Sequence, residues 1–223
     1  MGYRLEGKEV DLTGLRKLTF TPSSKAGDVY RYKNYALRIF KDGEEPIDQP
    51  TAEYLTNIKT DRIILPKRLL FYNNAFKGYT MKLVSQRGAG KRISTTPKED
   101  FIDNIKAIER DIETLSQRKV LLNGATPGYT LYNGELYIVD PSNYRILDSV
   151  DSDKLEQLNQ FQLHLLITEL VASDLRKANI QQSSIQHLKD MLRLRDNDQT
   201  SSSYFDELMQ DQKNLKELVK KIG

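Results

Sequence analysis

The chain contains no cysteine, which excludes disulfides and thiolate metal sites. Histidine is almost as scarce, with two in 223 residues. With these two histidines and no cysteine, the pattern does not support a zinc centre. His164 lies in an apolar helical stretch and reads as a packed histidine rather than a catalyst. No window approaches the run of about 20 apolar residues that a membrane span requires. The start, Met1-Gly2-Tyr3-Arg4-Leu5-Glu6, lacks an apolar signal core and the Ser or Thr of an acylation motif. The expectation is a soluble, cytoplasmic protein without a membrane partner. A dominant charge is also missing. Lys and Arg total 34 against 31 acids, which argues against a dedicated nucleic-acid binder. The basic stretches at residues 87–92 and 213–221 read as a solvated loop and a solvated helix face. With 38% hydrophobic residues, the length suits one domain or two small lobes sharing a cleft.

The first eighty residues read as strands with one helix. Residues 15–20 suggest a strand. Residues 28–32 and 35–40 are β-branched and aromatic and read as a hairpin joined by Lys33-Asn34. Residues 51–59 form a short helix with Thr51 as its cap. Ile63-Ile64-Leu65 runs up to Pro66, and residues 69–72 and 78–84 flank an Asn73-Asn74 turn. Residues 85–96 are polar and read as a hinge or linker. Residues 97–119 carry Phe101, Ile105, Ile108, Ile112 and Leu115 at helical spacing. Residues 153–178 and 183–195 form two further helices. Residues 204–222 read as one terminal helix capped by Ser203.

Carboxylates are distributed unevenly in the middle of the chain. Between Asp111 and Asp140 there is no aspartate. Asn133-Gly134 then turns into the run Glu135-Leu136-Tyr137-Ile138-Val139, which delivers Asp140 at its exit. A carboxylate there can hold a divalent cation or cap the turn before Asn143.

Several motifs, in order, resemble the protein kinase-like superfamily, with the closest likeness to compact bacterial members. Ala36-Leu37-Arg38-Ile39-Phe40 looks like the third-strand signature Val-Ala-Ile-Lys. Glu53 sits where the helix glutamate would pair with that lysine. Tyr79-Thr80-Met81-Lys82-Leu83-Val84 resembles the last strand before the hinge, with Met81 in the gatekeeper slot. Ile138-Val139-Asp140-Pro141 resembles the metal-binding Asp-Phe-Gly segment. The resemblance implies an α+β fold of two lobes. Residues 1–84 would form an antiparallel-sheet lobe with one helix, and residues 85–223 a mainly helical lobe with residues 85–96 as hinge. It implies ATP and Mg²⁺ as ligands, with Gly27, Ala36, Arg38, Glu53, Met81, Leu83 and Asp140 around the nucleotide and Asp140 on the metal.

The slots are degraded. Only Gly27 remains of the glycine-rich loop, and Asp28 follows it. Arginine replaces lysine at position 38, a non-conservative exchange. The His-Arg-Asp slot holds Asn123 or Gly124, depending on register, and an asparagine cannot accept a proton at neutral pH. Losing a general base typically costs about 10²–10⁴ in rate. These features point to a kinase-fold protein with an impaired site, a pseudokinase serving as a regulatory or scaffolding module. The alternatives are an active atypical ATP-dependent phosphotransferase and a nucleotide-independent protein-interaction module. The last would use a stripe of Leu208, Leu215, Leu218 and Ile222. Gly88-Ala89-Gly90-Lys91-Arg92 lacks the first glycine and the Ser or Thr of a phosphate-binding loop.

Overall fold

Alternating apolar residues build the first half of the chain into a seven-stranded antiparallel sheet. The computed structural model describes residues 2–18, 27–84, 92–122, 129–140, 144–193 and 199–222. In chain order the strands are β1 (Tyr3–Leu5), β2 (Lys8–Val10), β3 (Arg16–Lys17), β4 (Gly27–Tyr32), β5 (Tyr35–Phe40), β6 (Pro66–Tyr72) and β7 (Ala75–Lys82). Their spatial order is β2-β1-β6-β7-β5-β4-β3. The hairpin expected at Lys33-Asn34 is present, with Tyr32 opposite Tyr35 and Lys33 in the left-handed region that the turn demands. β1 and β2 carry too few residues to stand out in the sequence. They extend the sheet from β6 and help close a small apolar cluster around Leu5, Leu37 and Leu70.

Strand alternation assigns β5 to two cores. Leu37 and Ile39 face the small cluster. Ala36 and Phe40 face the main core, together with Tyr79 and Met81. Between β5 and β6 lies α1 (Gln49–Thr56). Its cap is Asp48 rather than Thr51. The Asp48 carboxylate accepts from the Thr51 amide at 2.7 Å and from its hydroxyl at 2.9 Å. Pro50 fits in the first turn, where no amide donor is needed. β6 starts at Pro66, where the sequence suggested a stop.

The second half is mainly helical. It comprises α2 (Lys98–Gln117), α3 (Ser152–Lys177), α4 (Gln182–Leu192), α5 (Ser201–Leu208) and α6 (Leu215–Ile222). Two small ribbons accompany them: β8 (Val120–Leu121) with β11 (Arg145–Ile146), and β9 (Tyr129–Tyr132) with β10 (Glu135–Ile138). Phe101, Ile105, Ile108, Ile112 and Leu115 form the buried face of α2, as their spacing requires. The expected single terminal helix is two helices. Thr200 caps α5, and Asn214 restarts the chain by accepting from the Glu217 amide at 3.0 Å. The Leu208, Leu215, Leu218 and Ile222 stripe packs into the main core. The end of the expected linker is docked. Ile93–Thr95 forms a 3-10 turn, and the Ser94 amide donates to Asp174 on α3 at 2.9 Å.

One apolar core runs through the sheet half and the helical half. The crossing segment at residues 61–64 ties them together with polar contacts. Asp111 on α2 is buried, and its carboxylate accepts from the backbone amides of Asp61, Arg62 and Ile63 at 3.0, 2.6 and 2.8 Å. The same segment forms a parallel bridge with β10. The Ile64 amide donates to the Ile138 carbonyl at 2.7 Å, and the Ile138 amide donates to the Arg62 carbonyl at 2.9 Å. Charge-assisted bonds of this kind are among the stronger polar contacts in a fold.

Asp111→Ala would leave three amides with no acceptor. It is expected to destabilise the protein by about 3 kcal/mol or more, read as a lower urea midpoint. Asp111→Asn keeps one acceptor oxygen and should recover part of the loss. A change below about 1 kcal/mol for the alanine variant would contradict the role of this carboxylate.

Candidate functional site

The site is built around β5. Two glycines let neighbouring strands approach it closely. A Cβ on Gly78 would lie 2.0 Å from the Arg38 carbonyl oxygen, at a φ of +152°. A Cβ on Gly27 would lie 2.6 Å from the Ile39 carbonyl oxygen. Gly27, expected in a phosphate flap, is the first residue of β4, and close strand packing accounts for its missing side chain. Residues 21–26 of that expected loop lie outside the described residues, as does Asn123.

Arg38 is 4% exposed on the main-core side of β5. Its Nη1 donates to Asp140 Oδ1 at 2.6 Å and lies 3.5 Å from the Tyr79 hydroxyl. Asp140 is 34% exposed and follows β10 by two residues. The bridge at Ile138 fixes the end of that strand against the sheet half. Burial opposes the Arg38 charge, and Tyr79 and Asp140 outweigh it, so its pKa lies above the ordinary value. Burial pushes the Tyr79 phenol up to about 12, although Arg38 pulls the other way. Tyr144 is buried, and its hydroxyl has no hydrogen-bond partner among the described residues. Burial, reinforced by the nearby negative charge of Asp140, raises its pKa far above the usual phenol value.

The sequence-predicted residues therefore divide. Arg38 and Asp140, 102 positions apart, are in direct contact. Ala36 is buried and sits opposite Met81 in the β5–β7 register. Leu83 is half-buried against the main core. Glu53 does not join them. It is exposed on α1, and its backbone carbonyl accepts from Thr56 and Asn57 in the same turn. The expected Arg38–Glu53 pair is replaced by Arg38–Asp140. The cause is the path of the chain: β10 brings a carboxylate under β5, while α1 turns Glu53 outward beside the buried Ala52 and Leu55.

A second polar cluster supports the first. Arg62 Nη2 donates to Glu135 Oε1 at 2.7 Å, and its guanidinium lies 5.2 Å from the Tyr137 ring centre. The Tyr137 hydroxyl donates to Glu135 Oε2 at 2.5 Å, and the Lys82 amine sits 4.6 Å from the same ring centre. The Tyr137 hydrogen bond, then Arg62, hold the Glu135 carboxyl below its ordinary pKa. Tyr79, Tyr144 and Asp111 were not singled out as site residues from the sequence. Asp111 had a visible signal, since it lies between Ile108 and Leu115 on the apolar side of an amphipathic helix. His164 is a core residue, as expected. Its Nε2 is 2.7 Å from the Leu192 carbonyl oxygen, and Tyr204 and Phe205 flank its ring.

As placed, these side chains do not fit a magnesium ion. The carboxylate that would hold it already neutralises a guanidinium, and a cation entering there would meet the Arg38 charge at close range. Among the described residues, no helix is long and apolar enough to cross a membrane. No protein-family model matches the chain, and no curated protein matches it significantly.

Asp140→Asn removes the counter-charge from a buried guanidinium. The expected cost is about 2–3 kcal/mol, below that of a fully buried pair because Asp140 is partly exposed. Arg38→Met removes the charge and its desolvation together and should cost about 1 kcal/mol or less. Chemical denaturation of both variants and the double variant gives the coupling; a cost under about 0.5 kcal/mol for Asp140→Asn would rule out a structural ion pair.

The phenols give a pH test. Their folded pKa values are raised above the ordinary 10.0, so the folded state retains these protons more tightly. Their contribution to stability is complete below pH 10 and declines above it, that of Tyr79 as pH rises through about 12. Phenolate absorbance should show Tyr79 and Tyr144 ionising only together with the loss of far-ultraviolet circular dichroism. Full ionisation of all 12 tyrosines before unfolding would contradict their burial.

Proposed function

We propose that this chain is a kinase-fold pseudoenzyme, a regulatory or scaffolding module whose phosphotransfer site is held closed by its own ion pair. The observation that carries the reading is the Arg38–Asp140 contact at 2.6 Å. Two segments selected by motif order alone, one as the phosphate-binding cation and one as the metal carboxylate, lie side by side. An antiparallel sheet with one helix, followed by a mainly helical half, supports the same two-lobed architecture.

The contact also supports the impairment. Protein kinases require a strand cation paired with a helix glutamate, leaving the second carboxylate for the metal. Here Asp140 takes the glutamate's part, and Glu53 faces solvent. Cation and carboxylate neutralise each other, so neither offers full charge to a phosphate or a metal. The base slot also lacks an aspartate. Function then lies in the surface that the fold presents, because the fold alone does not dictate chemistry.

Thermal melting with millimolar Mg·ATP, combined with a phosphotransfer assay, tests this reading. The expected stabilisation is under about 0.4 kcal/mol, equivalent to a dissociation constant above the ligand concentration. No turnover is expected. Turnover that disappears in Asp140→Ala would show a working site and overturn the proposal.

A further inference from the structure

Among the described residues, five large hydrophobic side chains are exposed, and three of them share one face of α3: Leu158 (41%), Phe161 (45%) and Leu165 (40%). The opposite side of that helix is buried through Leu155, Leu163, Leu166, Ile167 and Leu170. A helix apolar on both sides needs cover on both sides. The main core supplies one cover, and among the described residues the outer stripe stays exposed.

The stripe has charged ends of opposite sign. Lys154 precedes Leu158 by one turn and is exposed. Glu169 follows Leu165 by one turn, and its side chain is 46% exposed. Lys189 on α4 holds Glu169 Oε1 at 2.5 Å, which fixes the carboxylate at the end of the stripe, offsets part of its charge and leaves Oε2 to accept from a second cation. The order along the face is cation, Leu158, Phe161, Leu165, anion. Rotated by 180° about an axis beside Phe161, this order becomes its own complement. Leu158 meets Leu165 of a second copy, Lys154 meets Glu169, and the two Phe161 rings meet near the axis.

We infer that the outer face of α3 is a homodimer interface, formed by antiparallel packing of α3 from two copies of this chain. The arrangement is isologous, as closed two-fold dimers require. Antiparallel helix dipoles add to the charge pairing. The apolar stripe spans eight residues, about 10 Å of helix, so the interface is small and the association concentration-dependent. Charge complementarity selects a second copy as the occupant, because one face carries both halves of both ion pairs.

Sedimentation velocity of the full chain, from low to high micromolar, tests the inference. The wild type should move from monomer to dimer. Phe161→Asp should remain monomeric throughout with an unchanged melting temperature, since the side chain is exposed. Lys154→Glu and Glu169→Lys should each weaken self-association about tenfold, through two like-charge contacts per dimer. An equimolar mixture of these two variants pairs opposite charges at both contacts and should associate as the wild type does. A wild type that is monomeric at every concentration overturns the inference. So does a dimer that survives Phe161→Asp, or a mixture no stronger than its components.

Discussion

The buried carboxylate of Asp111 fixes how the two halves of this molecule meet. Three consecutive amides of the crossing segment, at Asp61, Arg62 and Ile63, converge on it. A carboxylate buried without donors would be costly; with them it becomes a rigid joint. That joint places the crossing segment against β10, and the parallel bridge at Ile63 and Ile138 transmits the placement to the strand end. Asp140 follows two residues later. The meeting of Asp140 with Arg38 is thus set from α2 through a short chain of backbone hydrogen bonds. The Arg62–Glu135–Tyr137 cluster stiffens the same junction from the outside.

Arg38 explains why the junction ends in an ion pair. A guanidinium that is 4% exposed needs a fixed partner, because burial alone disfavours its charge. Gly27 and Gly78 allow β4 and β7 to press against β5 at this point, which leaves little freedom for the backbone that carries it. Glu53 faces outward, and Asp140 meets the need at 2.6 Å. Under the proposed reading, structural and catalytic demands compete for one side chain, and the structural demand prevails.

Much of the sheet was legible in the sequence. The β4–β5 hairpin, the turn at Asn73-Asn74 and the apolar face of α2 follow from alternation and helical spacing, signals that depend on local burial. The contact between Arg38 and Asp140 was not legible as a bond, although each residue stands out in its own motif. Pairing depends on chain path, and the sequence placed Glu53 nearer by motif order. Caps were legible but misassigned. Asp48 outcompetes Thr51 because its carboxylate reaches both the amide and the hydroxyl of Thr51. The break between α5 and α6 had a signal in Asn214 followed three residues later by Glu217, a helix-start pattern hidden by the apolar spacing on either side. β1 and β2 were invisible because three residues give alternation no period to show.

The Arg38–Asp140 bond should persist when nucleotide and metal are present. The most direct measurement is a guanidinium ¹⁵N spectrum of the full chain, with Arg38 assigned by Arg38→Lys, recorded with and without saturating Mg·ATP. The Arg38 resonances are expected to stay in place and remain slow to exchange with water. Their shift or broadening on adding Mg·ATP, absent with Mg²⁺ alone, would show the cation leaving Asp140 for a phosphate and would contradict that persistence.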